Sequence, residues 1–250
     1  MRDNDREGSE MSHHSVIWLL LVAINLCAGC TSVRVPQQFL DKQESKTIST
    51  IGLLEVAEPK QFMAFSVGGP TVAFGLVGVF AEIERSKTLT AQFTKAMKAR
   101  DVNMGRPLTE ALQRALERKG FVVIRLTGQS AVQVGQGDFD YTGIRANADA
   151  ILNVSLEQSG YLAGGVGADF TVSVEALARL ISMRTFNPIY RQTFVYSAKP
   201  VNIKGAKLIP AVHDISFPSF DDLIADERRS AEGIMLSIEP IAEAVANDLR

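Results

Sequence analysis

The sequence predicts an α+β fold. A mixed sheet of about four to five strands should carry packed helices, in two layers or three. Three observations lead there. Residues 106–119 form an amphipathic helix closed by Gly120 and followed at once by an apolar strand. Residues 147–157 alternate with the two-residue period of a strand, and 170–183 with 189–196 read as a strand pair around Asn187-Pro188. A last helix opens at Ser219 and keeps one apolar face to the end. The expected order is strand, helix, strand, strand, hairpin, helix.

The chain opens with Arg2 and Arg6 set against Asp3, Asp5, Glu7 and Glu10, the wrong sign for an export signal. A start at Met11 would remove those acids, and both starts stay open. Residues 16–26 are apolar, long enough for a signal-peptide core and short of the about 20 residues of a membrane-spanning helix. Ala28 and Gly29 then place small side chains before Cys30. Together these residues resemble the signal peptide and lipobox of a bacterial lipoprotein, with Cys27 where leucine is usual. The resemblance implies cleavage before Cys30, diacylglycerol on its sulfur and an acyl chain, such as palmitate, on the new amino terminus. More than one chain is what stable anchoring requires. Thr31, where Asp would favour inner-membrane retention, implies the periplasmic face of the outer membrane. The expected organisation is a leader (1–29), a lipidated tether (30–48) and one periplasmic αβ domain (49–250).

Residues 31–48 are polar, as a tether should be. Residues 47–57 read as a buried strand that Pro59 ends. Residues 62–80 are almost wholly apolar, with four glycines. Three readings compete for them: a buried helix entered at Pro70, a contact with membrane or partner, and a loop over the sheet. The periodicity of Phe80, Leu89, Phe93 and Met97 favours a helix from Pro70 to about residue 99. In residues 106–119, Leu108, Ala111, Leu112, Ala115 and Leu116 share a face, and Gly120 suits the C-cap. Residues 127–147 carry too much glycine for regular structure. Residues 160–167 read as a glycine loop around Tyr161, and 198–217 as irregular. Ser219 caps the last helix, Asp221 and Asp222 suit its dipole, and Pro240 should kink it.

The phrases TIGLLEVAE, LTEALQRALERKGFVVIRL, ADAILNVSLEQSGY and VEALARLISMRTFNPIYRQTF are similar to the periplasmic αβ domains of several outer-membrane lipoproteins. These are the curli-secretion lipoproteins, the penicillin-binding-protein activators and the accessory lipoproteins of polysaccharide export. The likeness spans residues 50–200. It implies a periplasmic αβ domain on an outer-membrane lipoprotein, with the strand at Ala148-Asp149 leading into one that turns back on itself. The alternating hairpins of a curli-type pore are not part of the pattern here. Such folds host different tasks, so the task must be argued from the site.

Composition narrows the chemistry. Of 26 basic and 28 acidic residues, the leader holds two and four, leaving 24 of each and a neutral mature chain. That gives no reason for a nucleic-acid partner. Both cysteines lie at the anchor, so no thiol chemistry is expected in the domain. His213 is the one histidine past the leader. Asp138, Asp140 and Asp149 lack the spacing of a calcium loop, and the glycine runs lack the P-loop pattern. No Gly-x-Ser-x-Gly elbow occurs. No metal or cofactor is expected, and no catalytic residue. The first reading is a non-enzymatic accessory module bound to the outer membrane by lipid and to an envelope protein. Its candidate contacts are Tyr161, Phe74 and Phe80. An oligomeric secretion or export subunit is the alternative, and a cell-wall hydrolase with paired carboxylates is the third.

Overall fold

The computed structural model describes residues 37–66, 76–135, 138–165, 167–199 and 203–250, with backbone alone at 42–44 and 76–82. In order the elements are α1 (Lys42–Thr47), β1 (Thr50–Leu54), β2 (Met63–Ser66), α2 (Leu76–Ala99), α3 (Gly105–Arg118), β3 (Val122–Leu126), β4 (Val132–Gln133) and β5 (Phe139–Asp140). There follow β6 (Ala150–Ala163), β7 (Phe170–Ser182), β8 (Pro188–Ser197), β9 (Lys207–Pro210) and β10 (Ser216–Phe217). The chain ends in α4 (Phe220–Ala225), α5 (Glu227–Met235) and α6 (Ile238–Asp248).

The main sheet is mixed and has eight strands, not the four to five expected, in the order β3-β1-β6-β7-β8-β9. β2 joins β6 and β10 joins β7 off that path. β1 runs parallel to β3 and β6, whereas β6, β7 and β8 are antiparallel neighbours. The added strands are β2, β9 and β10. They are two to four residues long, too short for a period to register.

Helices cover one face. On α3, Leu108, Ala111, Leu112, Ala115 and Leu116 are fully buried, as their spacing requires. Each leucine so buried contributes about 2 kcal/mol. Gly120 takes φ +83°, and Phe121 N–H returns to Leu116 O at 3.1 Å, closing the helix. α6 lies beside α3, joined by the exposed pairs Arg114–Glu239 and Arg118–Glu243. The opposite face carries a smaller cluster, where Tyr141 and Ile144 of the 127–147 stretch cover Leu54, Leu126, Ile151 and Ile181. Among its described residues, that stretch holds only the two-residue strands β4 and β5.

Other expectations are corrected. The end of the chain is three helices, not one kinked at Pro240. Ser219 Oγ accepts from Asp222 N–H at 3.1 Å, and the Asp226 carboxylate accepts from Arg229 N–H at 3.1 Å. Asp226, at φ −112° and ψ 62°, breaks the helix and caps the next. Pro240 sits in the first turn of α6, where its missing N–H has no helical acceptor to lose. The folded body also begins before residue 49. Gln38 exchanges backbone hydrogen bonds with Arg191 at 2.8 and 3.0 Å, and Ile48 is buried.

The 62–80 stretch divides. Phe62 and Ala64 are core, β2 pairs with β6, residues 67–75 lie outside the described part, and the helix runs from Leu76. β2's outer edge is closed by side chains. Thr94 Oγ1 accepts from Phe62 N–H at 3.0 Å and donates to Phe62 O at 3.1 Å. Thr90 makes the same pair with Ala64, both at 3.3 Å. Four helical residues advance about 6 Å and two strand residues about 6.6 Å, so hydroxyls at i and i+4 meet alternate residues of a strand.

Candidate functional site: a cleft in the sheet above Arg179

β1 and β2 lie on the same side of β6 but do not meet. β1 pairs with β6 as far as Leu53 opposite Leu152, and β2 resumes with Met63 opposite Gly160. Between them the chain leaves the sheet, because its polar groups are taken elsewhere. Val56 N–H donates to Thr109 Oγ1 at 2.9 Å, and Thr109 Oγ1 donates to Gly105 O at 2.8 Å. Glu58 caps α3, accepting from Met104 N–H at 2.8 Å and Gly105 N–H at 2.7 Å. An anionic cap at a helix N-terminus is favoured by the dipole. Gly105 is required there, since a Cβ would strike Val56 O.

The excursion leaves a cleft of about 740 Å³ between residues 54–63, the 129–139 stretch and β6. Arg179 of β7 lies in its lining and is only 2 % exposed. Its Nη1 donates to Ser155 Oγ at 3.0 Å, and Ser155 Oγ donates to Glu157 Oε1 at 2.6 Å. Its guanidinium stacks 4.9 Å from the Phe139 ring centre. Arg179 stands in register with Arg191 of β8 on one side and Asn153 of β6 on the other. Arg191 reaches Asp138 at 3.9 Å. Burial lowers the pKa of Arg179 first, and Arg191 adds to this, against Tyr141, Glu157 and Asp138. Asn153 Nδ2 donates to Tyr141 Oη at 2.9 Å, and burial raises the phenol's pKa. The arginine thus pins the covering stretch to the sheet and sets a cation beneath the cleft floor. The rim holds Glu55, Lys60, Gln61, Ser130 and Gln158, all exposed. Glu55 pairs with Arg125 at 3.5 Å. The arrangement suits hydrogen bonding to a polar guest.

The residues expected to make contacts fare differently. Cys30 and Phe74 lie outside the described residues, and Phe80 is described by its backbone on α2 alone. Tyr161 is not on a loop. β6 continues through Ala163, and Tyr161 is fully buried, so it offers no surface. Its ring meets Phe93 at 5.8 Å and Phe217 at 5.4 Å edge-on, and its hydroxyl donates to Ser230 O at 3.0 Å. Burial pushes that phenol's pKa well up. Gly160, read as a loop residue, is where β2 meets β6, and a Cβ there would strike Met63 O.

The three aspartates are not gathered into one cluster of ligands, and Asp138 lies 3.9 Å from Arg191. Asp140 Oδ1 accepts from the N–H and hydroxyl of Thr142 at 2.8 and 2.7 Å, which lowers its pKa. Asp149 Oδ2 accepts from Thr50 N–H at 2.8 Å, Ser49 N–H at 2.9 Å and Ser49 Oγ at 3.0 Å, fastening the start of β1 to β6. Those bonds hold its carboxyl below the usual range. Among the described residues, no three His, Cys, Asp or Glu side chains are grouped to hold a metal ion. His213 and Asp214 are exposed. Arg229 stacks 5.3 Å from the Phe217 ring centre.

Sequence reasoning missed Arg179. The signal was present, an arginine set between Ala178 and Leu180 in a strand whose immediate neighbours fit a buried sheet. Pro59 marks where the first strand stops, but neither its return as β2 nor the hold of Thr109 on Val56, 53 residues away, had a local signal.

No protein-family model matches the chain, and none of the curated proteins does. It is similar to the crystal structure of a Xanthomonas campestris protein of the family DUF330, with a TM-score of 0.30 and 12 % identity. The match covers 56 % of this chain and 60 % of that one, so it spans about three fifths of that protein's length. Among the described residues, no helix is long and apolar enough to cross a membrane.

Proposed function

We propose that the chain is a lipid-anchored outer-membrane protein of the periplasm, and that its αβ body is a non-enzymatic binding module of an envelope complex. The carrying observation is the order of features at 16–30: an apolar run, Ala28-Gly29, then Cys30. The fold is consistent with such a module. Its core is built without cysteine, so it needs no disulfide in an oxidising compartment. Asp149 and Glu58 are engaged in holding elements together. The test is fractionation of cells carrying the Cys30→Ala protein. The variant should be folded and leave the outer-membrane pellet. Retention in the pellet after a high-salt wash would overturn lipid as the main anchor.

A further inference from the structure

We infer that the break in the sheet beside β6 is a docking slot for an extended peptide, which would add a strand between β1 and β2. This goes beyond the envelope reading and does not depend on it, since the slot belongs to the body whether or not a lipid holds it. Among the described residues, β6 pairs with β7 alone from Asn153 to Ser159, although it lies inside the sheet. Strand neighbours flank that stretch at both ends, and both run parallel to β6. Seven residues at about 3.3 Å each make an opening of about 20 Å. In a strand paired on one side, alternate N–H and C=O groups turn away from the partner, and residues 153–159 line the cleft. Another extended backbone presents donors and acceptors to such groups at the matching repeat. Main-chain pairing of this kind is how strand addition supplies affinity.

The opening is built into the fold. The chain that would otherwise fill it is held on the helix layer by Val56 N–H on Thr109 and by the Glu58 carboxylate on α3. Its return is fixed by Phe62 on Thr94 and by Gly160, which lets β2 rejoin β6. The register of β6 against β7 also shifts between Leu156 and Gln158, in the middle of the slot. Such bulges re-aim a strand and accompany functional edges. The cleft's volume of about 740 Å³ accommodates a short peptide, and its polar rim suits an occupant that binds through its main chain.

The experiment selects a phage-displayed random dodecapeptide library on the purified full chain in detergent. Hits are titrated by fluorescence anisotropy and mapped by hydrogen exchange. The expected result is proline-free hits that slow amide exchange within 153–159 at least 10-fold at saturation. Ser130→Trp and Gln133→Trp, both at exposed rim positions, should plug the slot. Each should weaken binding at least 10-fold and leave the melting temperature unchanged. Two substitutions are used so that one misfolded variant does not decide the matter. Failure to enrich any peptide would overturn the inference. So would hits that protect a different segment, or hits that both folded plug variants bind as well as the parent does.

Discussion

Replacing Thr94 with Val tests whether a helix closes the edge of β2. Valine keeps the shape and removes the hydroxyl. Phe62 N–H and Phe62 O, bonded to that hydroxyl at 3.0 and 3.1 Å, lose their partner together. Phe62 is 2 % exposed, so water cannot easily replace it. An orphaned buried group costs about 1–3 kcal/mol, so two partly compensated ones should cost about 2–4 kcal/mol. Thr90 holds Ala64 at 3.3 Å in both directions, a weaker pair, and Thr90→Val should cost about 1–2 kcal/mol. In a domain of this size each kcal/mol lowers the melting point by about 2–4 °C. The assay is urea unfolding followed by circular dichroism, with Thr94→Ser as the control that restores the hydroxyl. Serine should recover more than half of the loss. A Thr94→Val protein within about 0.5 kcal/mol of the parent, or a serine variant as damaged as the valine one, would refute the reasoning.

Three further outcomes follow from the packing and the charges. Gly233→Ala would drive a Cβ into the Tyr161 hydroxyl and disturb its contacts with Phe93 and Phe217, so denaturant unfolding should record a loss of about 1–3 kcal/mol. All four tyrosines are buried with raised pKa values, so absorbance at 295 nm should show no phenolate near pH 10. Raised native values mean that the stabilisation is intact below about pH 10 and is lost as pH rises, so the four should ionise with alkaline unfolding. A reversible tyrosine titration in folded protein near pH 10 would count against this. The carboxyl of Asp149 is shifted the other way, so its contribution is present above the ordinary aspartate value of about 3.9 and lost as pH falls through the lower native one. The Asp149→Asn protein should therefore lose part of the parent's stability decline below about pH 4 in acid titrations followed by circular dichroism.

What could be read from the sequence was local and repeated. The α3 stripe with Gly120, and the β7–β8 hairpin at Asn187-Pro188, each announce themselves over ten or more residues. Two kinds of feature were illegible. Very short strands such as β2 and β10 exist because a neighbour offers an edge, not because their residues prefer it. Tyr161 sits among glycines that suggest a loop, yet Gly160 is small because β2 must pass close by, and the ring beside it is core. The helix breaks at Asp226 and Ser237 were masked by an apolar face that keeps its phase across them, and the kink expected at Pro240 fell in a first turn that tolerates it. For the cleft, the arginine and the strand end at Pro59 could be read in the sequence, but the rejoining of β2 to β6 beyond the gap could not.

Placement in the envelope is the central claim, and mass spectrometry of the intact protein purified from its own membranes tests it most directly. The account predicts an amino terminus at Cys30 carrying a thioether-linked diacylglycerol and an amide-linked acyl chain. A chain that still bears residues 16–29 with an unmodified sulfur at position 30 would contradict it.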